Sequence, residues 1–188
     1  MTTETLCPGL VSRLDQAVSA GSVDAITRAV KGVLEEVLGS NSVDLPGRFR
    51  EARPDTYARR LLHRDPAGRY TAIVMTWGVG QGTPVHDHGG LWCVEGVIDG
   101  EIAVTQYDVT PHDGNRFRIE PRGTLRAGIG DAGRLIPPTD HHIIANARVD
   151  APSLTLHVYG GNLDGCRIFV PDTTGRYQQS VRALSYHE

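Results

Sequence analysis

The chain is poor in cysteine, with three among 188 residues (Cys7, Cys93 and Cys166) and no CxxC pair. An odd, sparse set argues against a disulfide framework and fits a reducing compartment, so a cytoplasmic location is expected. No apolar run approaches the roughly 18 residues that a membrane-spanning helix needs, which argues against a membrane partner. The opening residues, MTTETLCPGL, lack the basic and apolar regions of a secretory leader. Basic residues are not in excess: 19 Lys and Arg stand against 22 Asp and Glu, for a net charge of −3. With no basic run to track a phosphate backbone, a nucleic-acid partner is not expected. Internal repeats and low-complexity tracts are also missing.

What remains is an ordinary globular composition, 39% hydrophobic and 22% charged, in a chain long enough for one domain with a real core. The first forty residues read as helix. Leu10, Leu14, Ala17 and Val18 recur at helical spacing, and so do Ile26, Val30, Val33, Leu34, Val37 and Leu38. Ser22 or Asp24 can cap the second helix, Gly39 can end it, and Ala20-Gly21-Ser22 suggests a helical hairpin. After Pro46, Gly and Pro punctuate short runs of β-branched and aromatic residues. Strands are expected near residues 57–63, 70–77, 91–98, 101–107, 117–119, 141–147 and 154–159. Turns are expected at Asp65-Pro66-Ala67-Gly68 and Asp113-Gly114-Asn115, and a two-residue hairpin at Asp99-Gly100. Short strands at this spacing suggest a mainly β sandwich or jelly-roll barrel with the helices on one side. The expected layout is a helical segment over residues 1–45, a barrel over 46–170 and a loosely packed polar arm over 171–188, all in one structural domain.

Within the barrel, His86-Asp87-His88 stands out. Histidines at i and i+2 on a strand share a face. A third histidine from another strand would complete a three-nitrogen face; neutral imidazoles suit Fe, Zn, Cu or Ni and leave positions open for ligands. His142 is the candidate, with neighbouring His141 as its rival. Alternation places Glu95 on the same face as Cys93, either as a displaced carboxylate ligand or in support of the site. Asp87 should face away from its neighbours, in a structural hydrogen bond or a solvated turn. Thr155, His157 and Tyr159 share one face of an otherwise apolar strand and can hydrogen-bond in series. His63, His112 and His187 read as solvated, Arg60 as a surface residue, and Cys7 and Cys166 as structural. A zinc hydrolase is disfavoured, because no Glu occupies a general-base position beside the first two histidines.

These spacings resemble the cupin barrel. Gly80, His86, His88 and Gly100 fall at the offsets of the first cupin motif, with Cys93 at the usual acidic position. Pro137, His142 and Asn146 fit the second motif, Thr139 standing where Gly is usual; the Asn146 offset favours His142 over His141. Cys93 narrows the resemblance to the thiol dioxygenases, the cysteine dioxygenase family. Trp77-Gly78, the Thr155-Leu-His157-Val-Tyr159 relay (Thr in place of the family's Ser) and Tyr57-Ala58-Arg59 are similar to family motifs. The resemblance spans roughly residues 57–169.

It implies a cupin-type jelly-roll barrel and one Fe(II) per chain, held by His86, His88 and His142. It further implies a small thiol carboxylate and O₂ as substrates, with L-cysteine foremost and 3-mercaptopropionate or mercaptosuccinate as alternatives. Tyr159, His157, Thr155 and Cys93 would be the catalytic set. Cys93 and Tyr159 occupy the positions that form a thioether cross-link in animal members, so that link is an expectation here. Arg59 would clamp the carboxylate through its planar fork. Arg167 is a second candidate clamp, because the segment from His157 to Arg167 resembles bacterial 3-mercaptopropionate dioxygenases. Gly160-Gly161 stands where animal cysteine dioxygenases have Ser-Pro. Relatives imply a monomer or a small homo-oligomer.

Overall fold

The computed structural model describes residues 9–40 and 43–188, so Cys7 and the first eight residues of the expected helical segment lie outside the described residues. Helix α1 (Leu10–Ala17) and helix α2 (Val23–Gly39) form the expected hairpin. Ser22, not Asp24, caps α2: its hydroxyl accepts from the Ala25 N–H at 3.2 Å.

Eleven strands follow among the described residues: β1 (Ala58–Arg64), β2 (Thr71–Trp77), β3 (Val85–His86), β4 (Cys93–Asp99), β5 (Glu101–Asp113), β6 (Arg116–Gly128), β7 (Ala132–Leu135), β8 (His142–Asn146), β9 (Ser153–Tyr159), β10 (Gly165–Pro171) and β11 (Tyr177–Ala183). One sheet runs β1-β2-β9-β4-β7; the other, β10-β11-β6-β5-β8-β3, closes on itself through pairing of β3 with both β8 and β10. This is a mainly β, cupin-type jelly roll with its helices packed on one side, as the sequence resemblance implies.

Strand periodicity explains the layering. From β2, β4 and β9, Ala72, Val74, Val94, Leu156 and Val158 face one way and bury against Leu10, Leu14, Leu34 and Leu38 of the helices. The alternate residues Ile73, Met75, Trp77, Cys93, Val97 and Tyr159 face the second sheet and meet Ile102 and Ile144. Because the helices cover its outer face, this sheet is buried on both sides: β2 reads as a nearly continuous apolar run, and β9 is buried along its whole length although every second residue is polar or carries a polar tip. The polar residues on their inner face therefore lie in the interior.

Two expectations are corrected. Asp99-Gly100 is not a hairpin: β4 pairs with β7 and β9, while β5 pairs with β6 and β8. The two residues form a corner that carries the chain from one sheet to the other. Gly100 has φ 80°, and a side chain there would overlap Ser153. The second correction concerns the C-terminal segment, which is no loose arm. β11 pairs along β10 and reaches β6, and Leu184 and Tyr186 then pack against the inner core. Most of its residues are exposed and carry no apolar alternation, which hides the strand in the sequence. Among the described residues no helix is long and apolar enough to cross a membrane.

Candidate metal centre

His86 on β3 pairs directly with His142 on β8, and His88 follows two residues later. The three ligand atoms lie within 4.8 Å of one another. Each ring is oriented through its other nitrogen. His86 Nδ1 lies 3.0 Å from the His142 carbonyl and 3.2 Å from that of Pro84. His142 Nδ1 lies 2.9 Å from the Asp140 carbonyl. Carbonyls only accept, so these Nδ1 atoms carry the hydrogens and each Nε2 keeps a free lone pair. His88 Nδ1 lies 3.2 Å from Asp140 Oδ2, which also accepts from the His88 backbone N–H at 3.0 Å. Burial, reinforced by the neighbouring His88, pushes the His86 imidazole down to about 3. Burial, followed by His86 and His88, lowers His142 well below its ordinary value. Both are neutral, as metal ligands must be. His142 Nε2 is buried with no hydrogen-bond partner. Three oriented imidazoles and an orphaned ligand nitrogen fit a divalent transition metal.

The neighbours sort as alternation requires. His141 turns away from the cluster and packs edge-on against Phe169, ring centroids 5.4 Å apart. Asp87 also faces away but is buried: Oδ1 accepts from the Gly89 and Arg167 N–H groups at 3.2 and 2.7 Å. Asn146 fastens the end of β8, donating to the Trp77, Gly78 and Ala151 carbonyls and accepting from Ser153.

A second polar group adjoins the triad on β9. Trp77 Nε1–H donates to Thr155 Oγ1 at 2.9 Å, Thr155 Oγ1 lies 2.7 Å from His157 Nε2, and His157 Nδ1 lies 3.3 Å from the Tyr159 hydroxyl. Trp77 is thus the first member of the relay. Across the sheet, Cys93 opposes Tyr159 and Glu95 opposes His157. All are buried. Burial raises the Cys93 thiol and the Tyr159 phenol well above their ordinary values, lowers His157 and pushes Glu95 up to about 8. Glu95 Oε2 sits 3.4 Å from His157 Nδ1 and 3.9 Å from His142 Nε2. It clusters with Cys93 and His157 rather than with the three histidines.

Triad and relay border one small cavity of about 20 Å³, which Arg59, Leu163, Cys166 and Leu184 also line. The Arg59 guanidinium donates to the Ser185 and Leu163 carbonyls, each at 3.2 Å, and lies over the Tyr186 ring at 5.4 Å. His187, expected in solvent, binds the same residue: its Nδ1 accepts from the Arg59 N–H at 3.0 Å, and its own N–H donates to the Arg59 carbonyl at 2.7 Å. Arg60, expected on the surface, is buried beneath the sheet, donating to Thr76 Oγ1 and the Glu51 carbonyl. His63 is half-buried against Tyr70, and His112 is exposed as expected.

Arg167 is the site residue that the structure does not bring in. It points outward from β10, 53% exposed, and pairs with Asp87 at 2.8 Å. Alternation on β10 puts its neighbour Cys166 on the cavity wall instead. Sequence reasoning also missed Asp140, Leu163 and Leu184. Asp140 directly precedes the histidine pair, which was an available signal; the two leucines carry none. A larger groove of about 530 Å³, walled by α2 and strands β4 to β7, reaches Glu95 from the far side.

Residues 5–171 match the family described as cysteine dioxygenase type I. Cysteine dioxygenase type 1 of Danio rerio is 25% identical over 169 residues, covering 90% of this chain and 81% of that protein. The Rattus norvegicus protein is 27% identical over 117 residues, covering 60% of this chain and 55% of its own length, so the match spans about half of that relative. A solved protein of Thermus thermophilus superposes with a TM-score of 0.46 at 21% identity, over 61% of this chain and 92% of that one. The chain belongs to the cysteine dioxygenase type I family of thiol dioxygenases.

Proposed function

We propose that this protein is a non-haem Fe(II) thiol dioxygenase that converts a small carboxylate thiol, L-cysteine foremost, and O₂ into the sulfinic acid. The observation that carries the reading is the buried Arg59 guanidinium lining the same cavity as three imidazoles oriented for a metal. His86, His88 and His142 would hold one Fe(II). Bound there, the ion would supply thiolate activation and O₂ chemistry.

The protein's own groups do the rest. Arg59 offers a fork to the substrate carboxylate and fixes its distance from the triad. Tyr159 presents a hydroxyl where negative charge develops, in a cavity that excludes bulk water. His157 and Thr155 hold that hydroxyl in place. A volume of about 20 Å³ corresponds to about one water, so Leu163 and Leu184 must yield to admit even a small acid. The outward ion pair of Arg167 removes the second clamp that a dicarboxylate such as mercaptosuccinate would use, which favours a monocarboxylate. The register of Cys93 opposite Tyr159 on β4 and β9 supports a thioether between them, sulfur to ring carbon, with two hydrogens passed to O₂. The sparse cysteines suit a cytoplasmic setting.

The test is O₂ uptake and sulfinate formation by iron-loaded protein with L-cysteine, 3-mercaptopropionate and mercaptosuccinate side by side. Uptake with cysteine, lost together with bound iron in His86→Ala, is expected. No uptake with any of the three, iron being confirmed bound, would sink the reading. An intact mass two hydrogens below the unlinked chain, restored in Cys93→Ala apart from the substitution itself, is expected for the cross-link.

A further inference from the structure

β1 is an edge strand: β2 pairs with it on one side, and the N–H and C=O groups of its other side need partners from elsewhere. At Arg59 a single residue supplies both. His187 Nδ1 accepts from the Arg59 N–H at 3.0 Å, and the His187 N–H donates to the Arg59 carbonyl at 2.7 Å. The two residues before His187 take hold of the same arginine further out. The Tyr186 ring lies against its guanidinium at 5.4 Å, and the Ser185 carbonyl accepts from Nη1 at 3.2 Å. Ser185, Tyr186 and His187 thus grip Arg59 at its fork, its charged face and its backbone.

The grip is itself anchored on the loop between β9 and β10. The Leu184 N–H donates to the Asp164 carbonyl at 2.8 Å, and the Tyr186 hydroxyl donates to Asn162 Oδ1 at 3.0 Å. From the same loop the Leu163 carbonyl accepts from Arg59 Nη2 at 3.2 Å. Two carbonyls therefore use two of the five guanidinium N–H groups, and the other donors are left for a ligand carboxylate. An arginine side chain has many rotamers, and fixing it before the ligand arrives removes that ordering from the binding step.

We infer that His187 is a positioning residue: by occupying the outer edge of β1 it seats residues 184–187, which fix the Arg59 fork relative to the three histidines and so set the affinity for the substrate carboxylate. His187 stands behind Arg59, outside the cavity lining, and touches neither substrate nor metal ligands; it acts through the arginine. This role rests on Arg59 as the carboxylate clamp proposed above, and not on the oxidation chemistry.

The experiment compares iron-loaded wild type, His187→Ala and His187→Asn. Asn places an oxygen where Nδ1 stands and keeps the acceptor, whereas Ala removes it. Binding of L-cysteine and of cysteamine, the same thiol without its carboxylate, is measured by titration calorimetry with O₂ excluded. His187→Ala should weaken L-cysteine about 3- to 10-fold and leave cysteamine unchanged, and Asn should recover most of the loss. With O₂ admitted, the same change should appear in KM for cysteine, with kcat within about twofold of wild type. Tyr186→Leu keeps the backbone bridge but removes the ring; it should show the same selective loss and carries the comparison if His187→Ala does not fold. Equal weakening of both thiols would overturn the inference, because a merely structural role moves both. So would an L-cysteine affinity unchanged in His187→Ala and Tyr186→Leu, or a wild type that binds L-cysteine no better than cysteamine. If the selective loss is found while iron-loaded wild type consumes no O₂ with any thiol, the positioning role stands and the dioxygenase reading fails.

Discussion

Arg59 and Arg167 carry the same side chain in opposite settings. Arg59 is 4% exposed on the cavity wall, while Arg167 is spent on an outward ion pair with Asp87. A hydrogen bond to a charged group contributes about 1.5–3 kcal/mol. Arg59→Gln is therefore expected to raise KM for a carboxylate thiol by about 10- to 100-fold. Arg167 is absent from the cavity wall, so Arg167→Ala should leave KM nearly unchanged. Steady-state O₂ consumption with both variants checks this, and a larger effect at Arg167 would relocate the clamp. At this scale much of the site was legible. His86, His88, Thr155, His157 and Tyr159 follow from strand alternation, which is a local rule. Alternation also separates His142 from His141, but which of the two faces inward needed the register of β8 against β3.

Among the elements, β9 shows how a turn residue is set by its neighbours. Gly160 follows it directly, and a Cβ there would overlap the Trp92 indole nitrogen. The Gly160 N–H donates to the Trp92 carbonyl at 3.0 Å, so the backbone is held close and cannot retreat. Gly160→Ser, toward the residue expected in animal relatives, should cost about 1–3 kcal/mol by overpacking. A denaturant midpoint equal to wild type would contradict this. Strand ends and pairings were less legible. Asp99-Gly100 has hairpin chemistry but makes a corner, because local turn residues say that the chain bends and not which strand it meets next. β11 went unread because five of its seven residues are exposed and its pairing partners come from β10.

For the whole molecule, the centre joins β3 and β8 of one sheet to a relay on β9 of the other. Metal held there binds the folded state alone and should stabilise it by about 2.7 kcal/mol at a free concentration a hundred times Kd. Chelation is then expected to lower Tm by about 5–10 °C, reversibly on adding metal back. A scanning calorimetry trace unchanged by chelator, with metal loss confirmed, would count against the three histidines as its ligands.

The sequence alone determined the helical hairpin, the mainly β barrel, the two-histidine face and the polar stripe of β9. Each rests on a period of two or 3.6 residues that a chain carries within itself. The tertiary structure decided that Arg59 lies inside and Arg167 outside, that Asp140 orients His88, that Glu95 faces His157, and that the C-terminal segment lines the cavity through Leu184 and holds the Arg59 backbone through His187. These depend on which strands meet and in what register, and burial supplies the rest: the same carboxylate or imidazole acquires its role only when water is removed from around it.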